Sequence, residues 1–243
     1  MTMKPEISII IPVANEATAL PRCLGRIQGA PNEIIVVDAG SEDGTASVAI
    51  RSGARILAYP ERHRARQMNY GAAAARGRVL LFLHADTLLP PGALVRLLAA
   101  MERREVVGGA FSRRYCSSSL VLAVTSRLAT LRNRLLGWHL GDQALFVRRE
   151  VFDRLGGYRD LAIFEDLDFS RRLRRVGKTV TLTPPVFSSA RRFAKHGPLR
   201  TTWHDLMLTF RYLSEKDLND SAQADCQAPS DRLKPLQPYE HLS

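Results

Sequence analysis

Cysteine is scarce in this sequence: Cys23, Cys116 and Cys226 are the only three, and they stand far apart. That spacing excludes a disulfide scaffold and any CxxC metal or redox site, and it fits a reducing compartment. Long apolar runs are missing too. None approaches the roughly 18 residues of a membrane span, and Met1 to Glu6 hold no apolar stretch of a secretory signal. The expected location is therefore the cytoplasm. Neither GxxxxGK[ST] nor GxGxxG occurs, which removes the P-loop and the dinucleotide fingerprint. Lysine is rare, since of 35 basic residues only Lys4, Lys178, Lys195, Lys216 and Lys234 are not arginine. Aromatics make up 7% and are not interleaved with the arginines, as the stacking platforms of a nucleic-acid-binding module would be.

What is present is enough apolar material for a packed core: 45% of 243 residues, with 24% charged. The formal charge is +11, and because residues 214–243 are net acidic, residues 1–213 carry +14. Arginine forks grip phosphate and carboxylate bidentately. The charge thus suits a nucleotide, a polynucleotide or an anionic membrane surface.

Hydrophobic spacing orders the first half as alternating strands and helices. Strands are expected at 7–11, 34–37, 54–58 and 79–83, and helices at 16–28, from Thr45 to Ile50, at 64–75 and at 92–102. This alternation predicts an α/β fold with a mostly parallel central sheet and helices on both faces. In the second half, strands are expected at 106–116, 144–147, 179–182 and 185–190, and helices at 119–136, 165–176 and 199–213. The stripes Leu120, Val124, Leu128, Leu131, Leu135 and Trp203, Leu206, Met207, Phe210, Leu213 are expected to pack inward; the alternative is that they lie on an anionic membrane. Residues 1–213 are expected to form one domain, with a nucleotide-binding half to 105 and an acceptor half from 106. Polar residues 214–243, with Pro229, Pro235 and Pro238, are expected to be a disordered tail.

Open α/β sheets bind ligands beyond the carboxyl ends of their strands. Three of the early strands end in acids: Asn15-Glu16, Asp38 to Asp43, and His84-Ala85-Asp86. Acids at successive strand ends repel one another, and a divalent cation or a donor-rich ligand relieves that repulsion. The Asp38 to Thr45 loop reads either as an ordinary strand-to-helix connection or as a carboxylate offered to a base N–H or a ribose hydroxyl. Asp86 reads as a ligand for Mn²⁺ or Mg²⁺, or else as a helix cap. Glu165-Asp166-Leu167-Asp168 opens a helix, where acids are favoured, but three in four residues exceed what capping requires. One of them placed near a sugar hydroxyl could act as general base.

Ile11 to Glu16, Ile35 to Asp38 with Ser41, Asp43, Gly44 and Thr45, Arg66 to Asn69 with Gly71, and Leu83 to Asp86 together resemble the family 2 glycosyltransferases of GT-A, Rossmann-type fold. Gly141-Asp142-Gln143, Arg148 to Tyr158 and Glu165-Asp166 through Gly177 resemble the acceptor-side motifs of that family. The variant with His84-Ala85-Asp86 and Gly141-Asp142-Gln143 further resembles a bacterial subgroup associated with arsenosugar-type biosynthesis. The resemblance implies that Pro12, Asn15 and Glu16 lie along the donor nucleotide, that Asp38 meets its base, with Ser41 and Asp43 beside it, and that Arg66 meets ribose or phosphate. It implies metal ligation by Asp86, completed by His196, a base in Asp166 with Glu165 beside it, and acceptor contacts from Asp142 and Gln143. His84 stands where the family carries the first acid of its DxD motif; its imidazole can donate to ribose or ligate Mn²⁺, and it removes one negative charge from the site. The implied activity is metal-assisted, inverting transfer of a sugar from a nucleotide-sugar to a hydroxyl acceptor. Where the two helix stripes lie on a membrane instead of the core, the expected contact is with its inner face. The competing readings are a nucleotidyltransferase releasing pyrophosphate and a basic nucleic-acid-binding module.

Overall fold

Ile7–Val13 forms the central strand, β1. Its side chains alternate between two cores, with Ile7, Ile9, Ile11 and Val13 on one face of the sheet and Ile10 on the other. The four isoleucines are fully buried, each contributing roughly 1.5–3 kcal/mol. The structure, a computed structural model, describes residues 5–30 and 32–224, with side chains to residue 214.

Three more strands follow in the first half: Asn32–Asp38 (β2), Arg55–Ala58 (β3) and Val79–Phe82 (β4). β2 and β4 flank β1 in parallel, and β3 runs parallel to β2. The connecting helices are Leu20–Leu24 (α1), Thr45–Arg51 (α2) and Arg64–Ala74 (α3). α1 is much shorter than the 16–28 expected. Gly71 lets α3 press onto the sheet, since a Cβ there would lie 2.6 Å from Ile10 and 2.9 Å from Val37 side-chain carbons.

The second half adds Thr87–Leu88 (β5), Ala93–Met101 (α4), Val106–Tyr115 (β6), Leu120–Leu136 (α5), a 3-10 turn at Gly141–Gln143, and Leu145–Arg148 (β7). Arg149–Arg154 (α6), Glu165–Val176 (α7), Lys178–Ser188 (β8), Arg191–His196 (α8) and Pro198–Ala224 (α9) complete the described residues. The eight strands form one sheet in the order β3-β2-β1-β4-β7-β6-β8-β5. β7 is antiparallel to β4 and β6, β8 is parallel to β6, and β5 is antiparallel to β8 through Thr87↔Ser188 and Leu88↔Phe187. The chain leaves β1 toward β2 and β3, then returns to β4 on the other side of β1. That reversal opens a crevice beyond the ends of β1 and β4.

Three expectations are corrected. The two strands expected at 179–182 and 185–190 are one strand, β8. α9 continues to Ala224, past the expected end at 213, so residues 214–224 are helical; the rest of the expected tail lies outside the described residues. The chain divides into two compact units, Met1–Thr202 and Trp203–Ser243. The aliphatic stripe of α5 faces outward, and Trp203, Leu206, Met207 and Phe210 of α9 are exposed as well. Among the described residues no helix is long and apolar enough to cross a membrane.

Candidate active site

The crevice between β1 and β4 holds a pocket of about 320 Å³, lined by Pro12, Val13, Ala14 and Glu16 after β1, by His84, Ala85 and Asp86 after β4, and by Arg62, Arg64 and Gln67 at the start of α3. Arg64 and Gln67 are one helical turn apart and share a face. Gln67 is buried and donates to the carbonyls of Val13 and Val37 at 3.0 and 2.9 Å. It thereby ties the ends of β1 and β2 to the start of α3.

The loops after β1 and β2 are latched together. Asn15, in the left-handed region at φ 57°, donates its N–H to Ser41 Oγ at 2.8 Å, and its Oδ1 accepts from the Glu42 N–H at 2.9 Å. Glu16 N–H donates to Thr45 Oγ1, and Ala17 N–H to Asp43 Oδ2. The Thr45 hydroxyl, then the Ala17 N–H, hold the Asp43 carboxyl below its usual range. Buried Asp38 accepts from both the N–H and the hydroxyl of Ser41. The side chains of Asn15, Ser41 and Asp43 thus brace the rim, while Glu16 lines the pocket.

Arg191, from the start of α8, reaches across to this rim. Its guanidinium donates to Glu16 Oε1 and Oε2 at 3.2 and 3.1 Å and to Asp86 Oδ2 at 3.2 Å. His196 stands exposed at the other end of α8. Arg66 points elsewhere: it forks onto Asp160 at 2.9 and 2.6 Å and also pairs with Glu61. Arg64, rather than Arg66, lines the pocket.

The acceptor-half acids join the same site. Arg64 lies 3.7 Å from buried Glu165. Burial first, and the neighbouring Asp166 charge second, push the Glu165 carboxyl up to about 7, against the pull of Arg64. Half-buried Asp166 is also raised, by desolvation, although its Oδ2 accepts the Gly141 N–H and its Oδ1 the Leu167 N–H. Asp168 has a different fate. It is buried against Arg172 at 2.7 Å, which also donates to the Leu155 and Gly157 carbonyls, and so it fixes the helix in place. Gly141 separates His84 from Asp166: a Cβ there would lie 2.8 Å from His84 Nε2 and 3.1 Å from Asp166 Oδ2. The His84 ring is pushed down to about 4, by burial and then by Arg64, and is neutral at pH 7. Its buried Nε2 has no partner among the described residues.

Asp142 pairs with Arg113, and Gln143 is fully buried with its Oε1 accepting from Leu140 N–H at 2.8 Å. The Gln143 side chain therefore supports its own turn. Arg62, Arg64 and Gln67 are the pocket residues that sequence reasoning missed. The signal lay in the three-residue spacing of Arg64 and Gln67 on the helix that carries Arg66.

The pocket stands at the topological switch point between β1 and β4, with the acids Glu16 and Asp86 in its lining. The glycosyl transferase family 2 profile matches residues 8–156. The chain belongs to that family, whose members are enzymes that transfer glycosyl groups. It is 33% identical over 199 residues to the uncharacterized protein MT1568 of Mycobacterium tuberculosis, covering 70% of this chain and 62% of that one. It is 30% identical over 168 residues to an undecaprenyl-phosphate 4-deoxy-4-formamido-L-arabinose transferase of Aeromonas hydrophila, covering 61% and 51%. The chain thus spans only about half to three-fifths of the length of these relatives. Among solved structures it resembles the mannosyltransferase PcManGT of Pyrobaculum calidifontis in complex with GDP-Man and Mn²⁺, with TM-score 0.63 and 22% identity over 77% of this chain and 57% of that one. It also resembles residues 1–349 of TarS from S. aureus in complex with UDP-GlcNAc, with TM-score 0.64 and 16% identity over 77% and 58%. At these identities the likeness is one of fold, the GT-A architecture.

Proposed function

We propose that this chain transfers a sugar from a nucleotide-sugar to a hydroxyl acceptor with inversion at the anomeric carbon, in the cytoplasm. One observation carries the reading: Arg64 and His84 belong both to the pocket at the ends of β1 and β4 and to the surroundings of Glu165 and Asp166. Donor and acceptor sides therefore meet in one crevice. In this reading Pro12, Glu16 and Asp38 lie along the nucleotide, on a rim braced by Asn15, Ser41 and Asp43, with His84 toward ribose and Asp142 toward the acceptor.

The donor set suits a divalent cation. Asp86 offers a partly exposed carboxylate, and His84 a neutral ring whose Nε2 has no partner among the described residues. Among the described residues no three His, Cys, Asp or Glu side chains converge as a complete metal site, which fits Mn²⁺ or Mg²⁺ drawing remaining ligands from diphosphate and water. Asp86 would hold the ion, with His196 as the further ligand. The bound metal would supply charge neutralisation for the departing diphosphate.

The rest of the chemistry falls to side chains. The Arg191 guanidinium, poised between Glu16 and Asp86, adds positive charge beside the leaving group. Asp166, fixed by two N–H donors and raised by burial, takes the acceptor hydroxyl proton as that oxygen attacks. Glu165, paired with Arg64, lines the acceptor side. Asp166→Asn keeps the shape and removes the base. Turnover should drop by about 10²–10⁴-fold, while the thermal shift given by a nucleoside diphosphate stays at the wild-type value. Retained turnover in that variant would overturn the assignment. A product analysis that found pyrophosphate rather than a nucleoside diphosphate would favour a nucleotidyltransferase.

A further inference from the structure

α5 is built inside out. The residues it turns to the protein are Leu122, Ser126, Ala129 and Asn133, two of them polar and one small. Leu120, Val124, Leu128, Leu131 and Leu135 recur every three or four positions on the opposite side, and each is between 52 and 82% exposed. A helix that serves only the core of a soluble protein places its large aliphatics the other way round.

The charged residues of the segments that carry and follow this stripe have one sign. No acid occurs between Glu105 and Asp142, nor between Asp168 and Asp205. Exposed Arg127 and Arg134 adjoin the stripe along the helix. At its carboxyl end Trp138 lies under the Arg171 guanidinium, 5.5 Å from the ring centroid. Arg174 is packed against Gly137, where a Cβ would approach its Cδ to 2.7 Å.

We propose that the outward face of α5 docks on the anionic surface of a lipid bilayer, with the aliphatic side chains among the acyl chains and the arginines and Trp138 at headgroup level. The surface is a single convex helix rather than a groove. Its centre is aliphatic, without the aromatic anchors that dominate protein interfaces, and its border is purely basic. Those are the marks of an interfacial helix. The inference does not depend on the reaction proposed above.

The test is co-sedimentation of the full chain with vesicles of phosphatidylcholine alone and of phosphatidylcholine mixed with phosphatidylglycerol. Wild type should pellet with the anionic vesicles and be released as salt rises. Leu128→Glu with Leu131→Glu should lower the partition coefficient at least about tenfold, with an unchanged circular dichroism spectrum and an unchanged nucleoside diphosphate thermal shift. If that variant does not fold, Arg127→Glu with Arg134→Glu serves instead, and should remove the preference for phosphatidylglycerol. Wild type remaining in the supernatant with both vesicles overturns the proposal, as does a leucine variant that pellets like wild type. So does gel filtration showing a wild-type dimer that the leucine variant dissolves without any vesicle affinity, which would assign the face to a second copy of this chain.

Discussion

The guanidinium of Arg191 lies 3.2 Å from Oδ2 of Asp86, drawing a residue from 105 positions away onto the acid that follows β4. The same nitrogen also holds Glu16. As an exposed pair this contributes at most about 1 kcal/mol to stability. Its value lies in keeping a cation beside the crevice. Arg191→Ala should therefore lower kcat at least about tenfold with little change in melting temperature. An equal loss of stability and activity would mark the residue as structural only.

Gly141 stands between the His84 ring and the Asp166 carboxylate, with no room for a methyl group toward either. Gly141→Ala should push these side chains apart and lower kcat by about 10²-fold, the cost of an ångström-scale displacement in a reacting site. Nucleoside diphosphate binding, measured by calorimetry, should change much less. A variant with normal kcat would show that the spacing of His84 and Asp166 is irrelevant to turnover.

Burial raises both carboxyls at the start of α7, Glu165 to about 7. Because the base Asp166 must be ionised and burial raises its carboxyl, kcat/KM should fall on the acid side with a midpoint above the ordinary carboxylate range. Arg64 favours the charged form of Glu165, so Arg64→Ala should move that midpoint upward. A pH profile flat down to pH 5 would exclude these carboxyls as the controlling groups.

His139 is fully buried, both ring nitrogens lack a protein partner, and burial followed by the Arg132 charge pushes it down to about 3. The unfolded chain binds a proton at about 6.5, the folded one only far lower. Stability from this group is thus complete above pH 6.5 and is lost progressively as pH falls toward 3. His139→Phe should flatten that part of the melting temperature against pH. An unchanged slope would show that other groups govern acid unfolding.

Periodicity placed β1, β2, β4, β6 and α7 because their apolar residues meet the core on fixed faces. It also grouped the α5 leucines correctly while missing their direction, since spacing identifies a shared face but not its partner. The two short strands expected at 179–182 and 185–190 are one strand, with Pro184 and Pro185 inside it. The β6–β8 register shifts between Phe111 and Arg113, so the prolines sit where the ladder is already interrupted. The acids at positions 86, 165 and 166 were legible from their types and spacing. The competition of Asp160 for Arg66, 94 residues away in the chain, left no local trace, and neither did the turn of Arg64 toward the pocket. α9 runs on because Ser214 to Ala224 contains neither proline nor glycine, whereas polarity alone had suggested disorder.

The pairing of Thr87 with Ser188 ties the segment just after Asp86 to the segment just before Arg191. Both charged groups therefore inherit their positions from one short ladder, with only two residues of slack on the Arg191 side. Insertion of a single residue between Ser188 and Arg191 would swing the guanidinium off its acids. The spacing of Ser189 and Ala190 should accordingly tolerate no change in length.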